Sequence, residues 1–144
     1  MFFFFFSKHE RRCFLKKIKK TRLIQNSGQI DLAIQSLNNL NNDGVVILTS
    51  GFLSNIALPG GIGASIVNSG INGFVRSAAS ETKRGTRIVA ISPEFIKESK
   101  YPESVRKGLG EVSAELVAKS YLRALLVGIS GKVITVTSSG TFEN

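Results

Sequence analysis

Few residues capable of chemistry occur in this sequence. His9 is its only histidine and Cys13 its only cysteine. One of each supplies no metal-ligand spacing, so no metal site is expected. A lone cysteine forms no internal disulfide, and its plain reading is a reducing, cytoplasmic compartment. Tyr101 and Tyr121 are the only tyrosines. Tyr121 falls on an apolar helical stripe and reads as core. Tyr101 lies in a polar connection and reads as an ordinary loop aromatic, with a substrate-facing role as the alternative. Ser50 ends one β-branched run and Pro93 ends another. The turn Gly60-Gly61-Ile62-Gly63 follows a strand but lacks the G-x-G-x-x-G spacing that seats a pyrophosphate at a helix N-terminus. It reads as a flexible loop on the substrate side.

The elements that must position these residues alternate. Ile30, Ala33, Ile34, Leu37 and Leu40 recur at three- and four-residue steps, which predicts a helix over 28–41. A cluster of asparagines with Asp43-Gly44 ends it. Val45–Leu48 is apolar on both faces, as a buried parallel strand is. A second helix is predicted over 64–81, with Ile66, Val67, Gly70, Ile71, Phe74, Val75 and Ala78 as its apolar face and Lys83-Arg84-Gly85 closing it. Arg87–Ser92 is the second strand, stopped by Pro93. Residues 94–111 are polar and irregular, a length that suits a lid-like connection. Ser113 is the expected N-cap of a third helix whose face is Val117, Ala118, Tyr121, Leu122, Leu125 and Leu126. Lys132–Val136 is the third strand, and residues 138–144 read as a polar tail. Such alternation predicts an α/β chain with a parallel sheet, ordered in space as the strands are in sequence.

Charge separates the first residues from the rest. Met1–Arg22 holds eight basic groups and one acid, so most of the net charge of +9 sits there. Phe2–Phe6 precede the basic cluster, the reverse of a secretory signal. The segment suits a short amphipathic anchor on an anionic membrane, or phosphate neutralisation on nucleic acid. A solvated basic tail, or a stretch translated from a displaced start, is the plainer reading. Residues 1–27 are therefore expected as a disordered basic leader. No nucleic-acid partner is expected, and no apolar run approaches the ~20 residues of a membrane span.

Several segments together resemble the C-terminal half of a short-chain dehydrogenase/reductase. They are G-Q-I-D-L at Gly28–Leu32, G-V-V-I-L-T-S-G at Gly44–Gly51 and G-F-V-R-S-A-A-S-E at Gly73–Glu81. G-T-R-I-V-A-I-S-P at Gly85–Pro93, A-K-S-Y-L-R-A-L at Ala118–Leu125 and G-K-V-I-T-V at Gly131–Val136 complete the set. Their order and spacing carry the resemblance, which runs from Gly28 to Val136. It implies a truncated Rossmann-like doubly wound fold with about three parallel strands and three helices over residues 28–137. By resemblance the activity is NAD- or NADP-dependent oxidation or reduction of a carbonyl/alcohol pair.

The family works with a Y-x-x-x-K pair and a serine at a strand end. The tyrosine is the general acid/base, the lysine lowers its pKa and holds the cofactor ribose, and the serine positions the carbonyl. Aligned through Gly73-Phe74-Val75-Arg76, the tyrosine position is Ala64 and the lysine position is Asn68. Alanine transfers no proton, and asparagine offers a ribose only hydrogen bonds. Ser50 matches the serine, with Gly51 competing for the place. Ile66-Val67-Asn68 and L-T-S-G are similar to a divergent branch of the family that lacks the pair. The catalytic-side residues that remain are Ser50 and Asn68, and the cofactor-side positions are Pro93 and the backbone of Ile96. Glu94 follows Pro93 where the family has glycine, which puts nicotinamide binding in doubt. The chain is expected to be inactive as it stands. The alternative is a binding or assembly module that forms homo-oligomers through the helices at 28–41 and 64–81.

Overall fold

The computed structural model describes residues 28–143. The basic leader read over 1–27 lies outside the described residues. Helix α1 covers residues 28–39. Strand β1 is Val45–Thr49, helix α2 Ile62–Ala78 and strand β2 Arg87–Pro93. After β3 at Phe95–Ile96, the single-turn helix α3 at Glu103–Arg106 and β4 at Glu111–Val112 come helix α4, Ala114–Leu126, and strand β5, Val133–Thr137. Strand β6, Gly140–Glu143, is the last element.

The main sheet has the order β1-β2-β5-β6. The first three strands are parallel, Leu48 pairing with Ala90 and Ile91 with Ile134. This is the expected arrangement and order of the three predicted strands. Strand β2 is central, and its side chains alternate between two cores. Ile88 and Ala90 join Ala33 of α1 and Val67, Ile71 and Val75 of α2 on one face. Val89 and Ile91 join Val117 and Ala124 of α4 on the other. A parallel sheet covered by helices on both faces is the Rossmann-like architecture.

Five local expectations need correction. Residues 140–143 do not form a tail: they fold back as β6, antiparallel to β5, with Val136 opposite Thr141. Thr137 secures this hairpin by donating from Oγ1 to the Gly140 carbonyl at 3.0 Å. Strand β2 runs through Pro93, because Pro93 pairs with Val136 and the Glu94 N–H donates to the Val136 carbonyl at 2.9 Å. The connection over 94–111 is not wholly irregular. Phe95 and Ile96 pair in parallel with Glu111 and Val112 as a second, two-stranded sheet. On α1, Ile34 is exposed, and Ala33 is the fully buried residue.

The fifth correction concerns α4. Its buried residues are Val117, Ser120 and Ala124, whereas Ala118, Leu122, Leu125 and Leu126 are exposed. Small side chains let the helix sit close to the sheet, and the Ser120 hydroxyl is satisfied by the Leu116 carbonyl at 3.0 Å. Ser113 caps α4 as expected, its side chain accepting from the Leu116 N–H. Arg87 ties the other end down, its guanidinium donating to the carbonyls of Ala124, Leu125 and Val127.

Candidate functional site

In an open parallel sheet, ligands bind beyond the carboxyl ends of the strands. Here the ends of β1 and β2, the start of α1, the middle of α2 and the β3 segment border an open cavity of about 420 Å³. Ser50, Asn68, Pro93 and Ile96 all line it, as does Ala64. The structure thus brings together the four residues singled out in the sequence. Ile96 comes from β3 and the others from one crossover unit: parallel pairing puts Ser50 and Pro93 at the same end of the sheet, and the intervening α2 supplies Ala64 and Asn68.

Ser50 follows β1 directly and its N–H continues the ladder to the Ile91 carbonyl at 2.8 Å. The residue is buried, and its hydroxyl donates to the backbone carbonyl of Asn68 at 3.2 Å. That bond spends the only Ser50 proton, so its oxygen is left as an acceptor. Gly51 lies against the Asn68 amide: a Cβ there would sit 2.9 Å from Asn68 Nδ2. Ala64 and Asn68 are one turn apart on α2 and share a face. The Asn68 carboxamide forms no hydrogen bond among the described residues. One turn further, Asn72 donates to Ser54 Oγ at 2.9 Å, and its own Oδ1 is buried without a partner among the described residues.

Glu94 borders the cavity, but its carboxylate accepts from the Ser138 N–H at 2.9 Å. A Cβ on Gly110 would lie 2.3 Å from that carboxylate, so the absent side chain makes its room. The Ile96 carbonyl accepts from both the N–H and the hydroxyl of Ser99, at 2.9 and 2.6 Å.

Sequence reasoning missed Phe52 and Phe95 in the lining and offered Tyr101 there only as an alternative. Phe52, Phe95 and Tyr101 form an aromatic chain along the cavity, with ring centroids 5.0 and 5.4 Å apart and edge-to-face geometry at both steps. Tyr101, in the connection between β3 and α3 as expected, stands 56% exposed at the rim of the cavity. Its convergence with Phe52 depends on the β3–β4 pairing, which leaves no periodic signal in two-residue strands. Gln29 also reaches the site, its Oε1 accepting from the Thr49 N–H at 3.3 Å. Tyr121 lies outside this cavity. It packs against the α4-side core and its hydroxyl meets Thr49 Oγ1 at 2.5 Å.

Among the described residues the lining is mostly apolar and holds no Lys, Arg or His; Glu94 is its one charged residue. Gly60, Gly61 and Gly63 do not border it. Gly61 instead opens α2, its N–H donating to the Leu58 carbonyl at 2.8 Å. Among the described residues no cluster of His, Cys, Asp or Glu is arranged to hold a metal, and no helix is long and apolar enough to cross a membrane.

No family model and no curated protein matches the sequence. Solved structures do match. The chain is similar to the protein lin1944 from Listeria innocua, with 30% identity and a TM-score of 0.74 over 78% of this chain and 56% of that one. It is similar to a small-chain dehydrogenase at 26% identity and TM-score 0.64, covering 78% of this chain and 52% of the other. A small-chain dehydrogenase in complex with NADPH matches at 25% identity and TM-score 0.66, over 78% and 57%. The chain spans little more than half the length of each.

Proposed function

We propose that this chain, a short-chain dehydrogenase/reductase-like segment, carries the substrate-side cavity of an NAD(P)-dependent oxidoreductase acting on a carbonyl/alcohol pair, and that it transfers no hydride by itself. One observation carries the reading. Among the described residues the cavity at the strand ends is lined by neutral hydrogen-bonding groups and aromatic rings, with no cation, and its one carboxylate is engaged by Ser138. Ser50 and Asn68 are suited to hold an oxygen-bearing substrate. A proton donor of matched pKa within reach of that oxygen is what efficient reduction also requires. At Ala64 there is a methyl group, and the neighbouring Asn68 carries no charge to tune such a group.

The lining fits one part of a nicotinamide nucleotide and not another. Pro93 and Ile96 are suited to lie against the ring, and the Asn68 amide, without a partner among the described residues, to hydrogen-bond the ribose. The diphosphate finds no match among the described residues, which bring neither a cation nor a glycine-rich helix N-terminus to the cavity. A bound nicotinamide cofactor would supply the hydride. The residues present would position substrate and exclude water from it. Titration calorimetry of the full chain with NADPH and with NADH tests this. The expected result is no saturable binding in the micromolar range; a micromolar Kd for either nucleotide would overturn it.

A second reading is an assembly module. Leu32 and Ile34 on α1 and Ile62 at the start of α2 are exposed apolar residues, on the two helices expected to form homo-oligomer contacts. Analytical ultracentrifugation of the chain and of Leu32→Lys separates the two. Loss of a dimer in the variant supports assembly, and an unchanged monomer supports the cavity alone.

A further inference from the structure

We propose that the cavity selects a neutral aromatic ligand bearing a hydroxyl group, so that aryl alcohols bind in preference to aryl ketones and to non-aromatic alcohols. The proposal rests on the reading of this cavity as a carbonyl/alcohol site and names the class within it. Two independent features of the wall carry it.

The first is the polarity of the hydrogen-bonding pair. A carbonyl only accepts, so the contact between the Ser50 hydroxyl and the Asn68 carbonyl fixes Ser50 as the donor. Toward the cavity, Ser50 Oγ therefore offers lone pairs. The Asn68 carboxamide, free of partners among the described residues, offers both N–H donors and an acceptor. A ligand hydroxyl satisfies both groups at once, donating to Ser50 Oγ and accepting from Asn68 Nδ2. A ketone oxygen answers only Asn68 and leaves Ser50 unmatched. One net hydrogen bond corresponds to about fivefold in affinity.

The second is the aromatic wall. Phe95 is buried and stands between Phe52 and Tyr101, edge-to-face with both. This chain holds flat surfaces in a fixed arrangement along the cavity. A ligand ring gains edge-to-face or offset contacts there that a puckered ring of similar size does not, a difference of about fivefold. Charged ligands are disfavoured, because among the described residues no cation lines the site and Glu94, turned toward Ser138, is its only charge.

The test is an NMR titration of the full chain with 1-phenylethanol, acetophenone and 1-cyclohexylethanol, following ligand line-broadening. The expected order places 1-phenylethanol about fivefold tighter than each of the other two. Tyr101→Ala removes an exposed side chain and should abolish the phenyl-over-cyclohexyl preference while leaving the melting temperature unchanged. Ser50→Ala should abolish the alcohol-over-ketone preference, because Ser50 Oγ is the acceptor that only the alcohol answers. Equal affinities for all three ligands would overturn the proposal while leaving the cavity as a carbonyl/alcohol site. A preference that survives both substitutions would also overturn it. Binding of none of the three would overturn the proposal together with the reading beneath it.

Discussion

Gly51→Ala and Gly85→Ala are chemically identical changes, of which only the second is expected to destabilise the fold. Gly85 begins the turn into β2 with φ of +71°, in the left-handed region. Alanine there costs about 1–2 kcal/mol in backbone strain. Its Cβ would also fall 2.1 Å from Asp43 Oδ1, forcing that side chain aside. Asp43 itself has φ of +61° and donates its N–H to the Arg84 carbonyl, so the two turns that start β1 and β2 clasp one another. Gly51 has φ of −172°, ordinary extended backbone. Alanine there meets only the far end of Asn68 at 2.9 Å, which can shift by a few tenths of an ångström. Loss of glycine entropy in the unfolded chain favours the variant by roughly 0.4–1 kcal/mol and offsets that contact. With about 4 °C per kcal/mol for a chain of this size, Gly85→Ala should melt roughly 4–8 °C lower. Gly51→Ala should stay within about 2 °C of the parent, yet displace the Asn68 side-chain amide resonances in an ¹⁵N-labelled sample. Thermal denaturation by circular dichroism decides the first point and the amide spectrum the second. A Gly85→Ala melting point within 2 °C of the parent, or an equal fall in both variants, would refute the reasoning.

The double variant Ala64→Tyr/Asn68→Lys should show no NADPH-dependent carbonyl reduction, since it restores an acid/base and its partner without a diphosphate site to position the donor; an absorbance assay at 340 nm with acetophenone would reveal otherwise. Ala124→Leu should destabilise by about 1–3 kcal/mol because Ala124 is fully buried against β2 and β5. Leu126→Ser, at an 82% exposed position, should change stability by less than about 0.5 kcal/mol, and urea denaturation that ranked the two the other way would restore the helix face expected from periodicity. Size-exclusion chromatography should show concentration-dependent self-association, because β1 has a sheet neighbour on one side only among the described residues and an apolar edge invites pairing; a monodisperse monomer with a sharp transition above ~65 °C would count against it.

The strands were legible because a strand buried on both faces must be apolar throughout. VVIL, RIVAIS and KVITV carry that signal without help from the rest of the chain, and short alternating crossovers make parallel pairing the economical arrangement. Ser50 and Pro93 followed from this, since residues at the ends of parallel strands meet at one edge of the sheet. Asn68 was reached by the family resemblance and not by periodicity, and the fold supplies the reason it can border the cavity: α2 crosses from one strand end to the next. What the tertiary structure alone decided depends on contacts that leave no periodic trace. The buried face of α4 was misread because close helix–sheet packing favours Ser120 and Ala124, while a hydrophobic pattern assigns the inner face to the larger Leu122 and Leu125. Strand β6 was unreadable because T-F-E has one large apolar residue and no alternation, and its pairing is set by the hairpin after β5. The aromatic wall arises in the same way. Phe52, Phe95 and Tyr101 belong to a 3-10 turn, a two-residue strand and a connection, and only the pairing of β3 with β4 folds that connection back over the strand ends.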